Sequence, residues 1–183
     1  MYKGIEGKIY PNKDQQVLIN QTFGHSRFVW NQMLGMLNAR YENSPDLNML
    51  SFSKLSLLLT QMKKEYAWLK DVDAKALQNS VKTLRETFDR FFKKQSNYPR
   101  FKSGKIHKQS YKTLERTIRF NDNQKYIKLP KLGWVKCKMS LNHINNGNIK
   151  SVTVTRKSNN NYYISVLVAV SYTHLTLPTK RIV

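Results

Sequence analysis

The sequence predicts an α+β protein: a small antiparallel β-barrel, interrupted after its first strand by three helices. Three observations predict it. Apolar residues recur at helical spacing between residues 13 and 92. After Gly104 the texture changes to short alternating runs separated by turn residues. A strand-like segment precedes the first helix, which places the helices inside a β domain. The expected boundaries are 1–12 for the first strand, 13–104 for the helices, 105–170 for the rest of the barrel and 171–183 for a tail.

Taken in order, Lys8-Ile9-Tyr10 reads as a short strand that Pro11 ends. Asp14 fits the N-cap of a helix running to about Tyr41, with Val17, Leu18, Trp30, Leu34 and Leu37 buried. Gly24 inside it signals a kink or a close contact, and Asn43-Ser44-Pro45-Asp46 is a loop. A second helix near Ser53 carries Leu55, Leu58, Leu59 and Met62 at helical spacing. Asp73 caps the third, whose apolar stripe is Leu77, Val81, Leu84, Phe88, Phe91 and Phe92. Its opposite face holds Lys75, Gln78, Asn79, Lys82 and Arg85. Three such helices bury their stripes against each other as a small bundle.

Thr117–Phe120 and Tyr126–Leu129 flank the turn Asn121-Asp122-Asn123-Gln124 and form a hairpin. Val135–Lys138 is the next strand, with Cys137 inward and Lys136 and Lys138 outward. Ile149–Arg156 and Tyr162–Val170 are two more, joined by Ser158-Asn159-Asn160-Asn161. Strands at this spacing suggest a barrel that the N-terminal strand can join.

The 183 residues hold 32 Lys+Arg against 11 Asp+Glu, a net charge of +21. Residues 93–138 alone hold 14 basic and 2 acidic side chains. A block this basic repels itself unless it is spread over a surface or neutralised by a polyanion. Aromatics interleave with it, in Phe91-Phe92-Lys93-Lys94, Tyr98-Pro99-Arg100-Phe101-Lys102, Tyr111-Lys112 and Gly133-Trp134-Val135-Lys136. Cations hold a phosphate backbone while flat rings stack on bases. Core packing is the competing role for each ring and the better one for Phe91, Phe92 and Trp134. No segment joins a basic face to a strongly apolar one as an interfacial membrane helix does. Nucleic acid is therefore the leading partner, with neither a membrane nor a small-molecule substrate expected.

Other function classes recede. The start has no apolar signal-peptide core, and the longest nearly apolar run, Tyr162–Val170, falls short of the roughly 20 residues that span a bilayer. The single Cys137 excludes an internal disulfide and a Cys-rich zinc ribbon and fits a cytoplasmic location. Two-metal phosphoryl transfer needs converging carboxylates, and none follows Asp122. His25, His107, His143 and His174 show no ligand spacing, and no nucleophile motif or P-loop occurs. No cofactor and no catalytic residue is expected in this chain. A complete enzyme would have to rest on Asp122 or Glu115.

Several motifs together resemble the OrfB/TnpB-type transposon proteins. They are Lys8-Ile9-Tyr10-Pro11-Asn12-Lys13-Asp14-Gln15, Arg27-Phe28-Val29-Trp30-Asn31, Trp68-Leu69-Lys70-Asp71-Val72, Ala76-Leu77-Gln78-Asn79, Tyr98-Pro99-Arg100-Phe101-Lys102 and Leu129-Pro130-Lys131-Leu132-Gly133-Trp134-Val135-Lys136. They stand in the family's order over residues 8–136, and Ile149–Val154 continues them. The resemblance implies an RNA-guided DNA endonuclease of a mobile element, related to type V CRISPR effectors. It implies a wedge-like barrel and a helical recognition insert that grip guide RNA and the short motif beside the double-stranded target. Cleavage, with its Mg²⁺ and Zn²⁺ sites, is expected only in a RuvC-like part that this chain lacks. Val170-Ser171-Tyr172-Thr173-His174-Leu175-Thr176-Leu177-Pro178-Thr179 resembles a translated transposase-end adapter of sequencing libraries. Residues 171–183 are thus expected to be non-native, the alternative being a native extension.

The candidate backbone contacts are Lys93, Lys94, Arg100, Lys102, Lys112, Arg119, Lys128, Lys131, Lys136 and Lys138. A merely solvated charge fits each of them equally. Gln78 and Asn79 carry the amides that suit adenine, with Lys75 and Lys82 beside them for the flanking phosphates. Ser53 and Ser56 extend the same reading, and an ordinary solvent-facing helix is its rival. Tyr98, Phe101 and Trp134 are the candidate stacking rings. The expected function is a nucleic-acid-binding fragment of an RNA-guided nuclease. The alternative is a stand-alone module, such as a regulator of the parent element.

Overall fold

The computed structural model describes residues 1–170 apart from Leu47, His107, Glu115 and 141–147. The expectations for the tail, for Glu115 and for His107, His143 and His174 lie outside these residues. In chain order the elements are β1 (Tyr2–Tyr10), α1 (Lys13–Asn43), α2 (Phe52–Glu65), a 3₁₀ turn (Ala67–Lys70) and α3 (Ala74–Phe92). Then come β2 (Gln109–Thr113), β3 (Arg119–Phe120), β4 (Tyr126–Leu129), β5 (Gly133–Met139), β6 (Ile149–Arg156) and β7 (Tyr162–Ala169).

The strands form one antiparallel sheet in the order β2-β6-β7-β1-β5-β4-β3. β1 joins it at the centre and is longer than Lys8–Tyr10, because residues from Tyr2 onward pair with β7. The expected small antiparallel barrel is present as a curled half-barrel whose ends, β2 and β3, are not neighbours. The reason lies in the two ends. β3 has only two residues, too few to extend the sheet, and Ile19, Phe23 and Ala76 of the helices join the buried core of the sheet. β2 escaped the sequence reading since Gln109-Ser110-Tyr111-Lys112-Thr113 offers one apolar residue, Tyr111, which is buried against Phe23.

α1 joins two cores. Its first turns place Ile19 and Phe23 under the sheet, and the later ones place Val29, Trp30, Met33, Leu34 and Leu37 among α2 and α3. Its N-cap is Asn12, two residues before the expected Asp14. Asn12 Oδ1 accepts from Gln15 N while Gln15 Oε1 accepts from Asn12 N, a capping box. Asp14 instead sits in the first turn, where the helix dipole favours a carboxylate. Gln15 Nε2 also donates to Leu132 O at 3.1 Å and Trp134 O at 2.9 Å, which ties the helix start to β5. The buried face passes through Ile19, so Val17, expected inside, is exposed. The helix runs unbroken through Gly24, where a Cβ would meet only Arg27 Nη2 at 4.0 Å, so no close contact explains that glycine.

Asp73 caps α3 as expected, Oδ1 accepting from Lys75 N at 2.9 Å. The stripe is buried through Phe88, but Phe91 is half-buried and Phe92 exposed. The helix ends there: Lys94 has φ 57°, Lys94 N donates to Phe91 O and Gln95 N to Arg90 O, a Schellman arrangement. Among the described residues no helix is long and apolar enough to cross a membrane.

Candidate nucleic-acid interface

Residues paired across antiparallel strands share a face, so the register fixes what each face presents. On the inner face Phe120, Ile127 and Val135 align across β3, β4 and β5, all buried. The outer face reads very differently. One row is Arg119, Lys128 and Trp134 across β3, β4 and β5. The next is Tyr126, Lys136 and Tyr10 across β4, β5 and β1. A third is Lys138, Lys8 and Tyr163 across β5, β1 and β7. Five cations and four aromatic rings thus alternate over one outer surface.

Several details make this more than a solvated face. Arg119 sits directly opposite Lys128, and Lys8 directly opposite Lys138. Like charges in direct cross-strand pairs destabilise a sheet, so folding alone gives no reason to keep them. The rings are offered to solvent: Tyr10 is 46% exposed, Trp134 43% and Tyr126 40%. The Arg119 guanidinium lies 5.9 Å from the Trp134 ring centroid and Lys8 Nζ 5.4 Å from that of Tyr10. The described ion pairs, Lys82–Glu86 and Arg85–Asp89, are both on α3, so among the described residues the sheet cations have no carboxylate partner.

A second surface lies where the segment after α3 crosses α1. Tyr98 OH donates to Asn38 Oδ1, Trp30 Nε1 donates to Arg100 O at 2.9 Å, and Asn31 makes two bonds to the Lys102 backbone. Arg27 packs its guanidinium against Gly104, where a Cβ would meet Arg27 Nη2 at 3.1 Å. The backbone is strapped down, yet Arg100 and Phe101 (59% exposed) point outward. Lys102 is exposed as a residue, but its ammonium lies 3.9 Å from the Trp30 ring centroid, and the partial desolvation there lowers its pKa from the usual lysine value.

The structure therefore brings Arg119, Lys128, Lys136 and Lys138 onto one face. Lys131 is exposed on the turn joining β4 to β5, with φ 65°. Asn79, Lys102 and Lys112 meet at a cleft between α3, the strap and β2. Lys75 and Lys82 are exposed on α3, Lys75 Nζ donating to Gln78 Oε1 at 3.4 Å and Lys82 lying 3.9 Å from Glu86. Lys93 and Lys94 are exposed at the far end of that helix. Ser53 is exposed and Ser56 half-buried on α2.

One reading of a ring is corrected: Trp134, expected in the core, faces solvent, because the alternation that buries Val135 and Cys137 turns it out with Lys136 and Lys138. Tyr98, a candidate stacking ring, is 38% exposed and is engaged edge-on by Phe88 at 5.6 Å and Phe91 at 5.1 Å. Tyr10, Tyr126, Tyr163 and Lys8 were missed. Only the register of β1 against β5 and β7 gathers them, and strands some 130 positions apart carry no local signal of their pairing.

Asn31→Ala removes both side-chain bonds to Lys102. Limited trypsin digestion will then cut after Arg100 and Lys102 several-fold faster, since proteolysis follows the population of opened segments. An unchanged digestion rate would show that the strap is held by something else.

Comparison with known proteins adds the following. Residues 1–45, which include β1 and α1, match a helix-turn-helix domain model of the OrfB type. The "Putative RNA-guided DNA endonuclease InsQ" of Escherichia coli (strain K12) is 30% identical over 161 residues, which is 87% of this chain and 38% of the relative. A "Putative RNA-guided DNA endonuclease" of Streptomyces pristinaespiralis is 35% identical over 106 residues, 56% of this chain and 26% of the relative. The "Virulence protein VsdF" of Salmonella dublin is 32% identical over 112 residues, 56% of this chain and 93% of the relative. The chain thus spans well under half the length of the two endonuclease relatives.

Proposed function

Because the chain belongs to the OrfB/TnpB family of transposon proteins, we propose that it is the nucleic-acid-gripping part of an RNA-guided DNA endonuclease. On this proposal the outer sheet face holds guide RNA in the cytoplasm, the three helices act as the recognition insert, and Lys75, Gln78, Asn79 and Lys82 of α3 read double-stranded target DNA. The observation that carries it is the alternation of unpaired cations and exposed rings across β3, β4, β5 and β1. Cations in such rows track a phosphate backbone, and rings between them stack on bases of any sequence.

The cutting step belongs, in this proposal, to residues other than these. No carboxylate follows Asp122, and no three His, Cys, Asp or Glu side chains converge among the described residues. The Mg²⁺ and Zn²⁺ of the family's cleavage chemistry would be held elsewhere. A second reading, a stand-alone nucleic-acid-binding regulator of the parent element, draws on the Salmonella relative, of which 93% aligns with this chain.

Fluorescence anisotropy across roughly 50–200 mM salt tests the proposal. Four neutralised phosphates give a slope of about −3.6 in log K against log salt for duplex DNA. The chain is expected to reach that slope, to bind the element's own 3′-end RNA more tightly still, and to cut neither when Mg²⁺ is added. Binding that ignores salt would sink the proposal, and equal affinity for unrelated RNA would favour the second reading.

A further inference from the structure

The cleft between α3, the strap and the edge strand β2 has a volume of about 280 Å³. That is just under the span of ordinary small-molecule pockets, roughly 300–1,000 Å³, and far too small for a duplex. Its walls bring together Ser26 of α1, Asn79 and Thr83 of α3, Lys102 of the strap, and Ser110 and Lys112 of β2. Among the described residues no carboxylate lines it.

Two polar groups in these walls lack the partners that buried polar groups ordinarily have. Ser26 is 9% exposed, and its Oγ has no hydrogen-bond partner among the described residues. Asn79 is half-buried, and no hydrogen bond of its amide is found among the described residues. The cleft is otherwise rigidly built. Ser80 Oγ donates to Ser26 O at 2.9 Å and joins α3 to α1. Asn31 and Trp30 hold the strap that forms the opposite wall. Lys102 Nζ lies over the Trp30 ring, and Lys112 is a second cation of the described lining.

We propose that this cleft receives one unpaired nucleobase, with an adenine edge its best match. The proposal rests on the nucleic-acid reading above and adds a site to it. An Asn amide pairs with adenine N6 and N7, donating to one and accepting from the other. The hydroxyls of Ser26 and Thr83 supply further donors and acceptors around the base. Lys112 neutralises a phosphate of the nucleotide as it enters. A base that reaches the cleft must be unpaired and unstacked, so the site selects a bulge, a loop or a locally opened duplex over a regular helix.

The test uses the full chain and fluorescein-labelled short duplexes, in RNA and in DNA, each either fully paired or carrying one central bulged adenosine. The bulged form is expected to bind about tenfold more tightly, as one good amide–base pair allows. Preference in RNA alone assigns the base to the guide, and in DNA alone to the target. Asn79→Leu removes the amide. Ser110→Tyr, at an exposed edge-strand position where a β-forming ring is tolerated, fills the mouth. Both are expected to erase the preference without moving the unfolding midpoint, and Ser110→Tyr, which lies outside the residues proposed to read duplex DNA, is expected to leave affinity for the paired duplex unchanged. Salt-sensitive binding without any preference for the bulge would overturn the cleft's role and leave the broader reading standing. A preference that survives in both variants would also overturn it, and failure to bind any duplex would overturn both readings.

Discussion

Replacing Lys128, Lys136 and Lys138 together by alanine will weaken binding to RNA and duplex DNA about 100-fold at physiological salt. The figure follows from counterion release. Each neutralised phosphate contributes a slope of about −0.9, which near 0.15 M is worth roughly fivefold, and three such contacts multiply to about two decades. The slope itself should shrink by about 2.7. The same variant should be no less stable than the parent. Lys138 faces Lys8 and Lys128 faces Arg119 in direct cross-strand pairs, and removing one cation of each relieves repulsion. Lost binding without lost stability separates a functional surface from a merely solvated one. A fall in the unfolding midpoint alongside unchanged affinity would show that these lysines serve the fold.

The second large effect is on the fold that makes this surface. Gly7 of β1 pairs with Met139 of β5, and a Cβ added there would overlap Met139 Cβ and lie 2.9 Å from the Lys138 carbonyl oxygen. One of these obstacles is backbone, so the strands must separate. Gly7→Ala is expected to cost about 3 kcal/mol, the upper part of the usual range for overpacking. For a chain of this length that lowers the unfolding midpoint by roughly 6–12 °C. Gly4→Ala is the internal control, since a Cβ there meets only Ser165 Oγ at 3.9 Å. It should change stability by less than about 0.5 kcal/mol. Binding should fall in Gly7→Ala as well, because the β1–β5 register sets Tyr10 against Lys136 and Lys8 against Lys138. Equal midpoints for the two variants would contradict the register.

How much of this was legible in the sequence depended on the range of the signal. Local signals carried well. The Leu77–Phe88 stripe of α3, its Asp73 cap, the β3–β4 hairpin and the inward Cys137 between outward lysines all read directly from period and turn residues. Close competitors within one turn were harder: Asn12 and Asp14 are both good caps, and only the reciprocal bonds with Gln15 decide between them. Trp134 was misjudged by its size rather than its position. Its place in the alternation already put it outside, and a large ring there signals a partner rather than a core. β2, with one apolar residue, owes its strand state to β6, which it pairs along its full length. The outer aromatic rows and the cleft were illegible, because each joins segments far apart in the chain that only tertiary packing brings together.

The arrangement explains where the charge goes. A block of 14 cations in residues 93–138 would be unfavourable on one compact element. The fold distributes it among the strap, the free end of β2 and the outer rows of β3, β4 and β5, so that much of it becomes an extended surface.

The claim that the outer sheet face grips nucleic acid is tested most directly by a lysine footprint. The free chain and its RNA complex are treated with an amine-acylating reagent, and the modification of each lysine is compared by mass spectrometry. Lys8, Lys128, Lys136 and Lys138 should be protected several-fold in the complex, while Lys54 and Lys64 of α2 react equally in both. Equal reactivity of the sheet lysines with and without RNA, or protection confined to α2, would contradict the account.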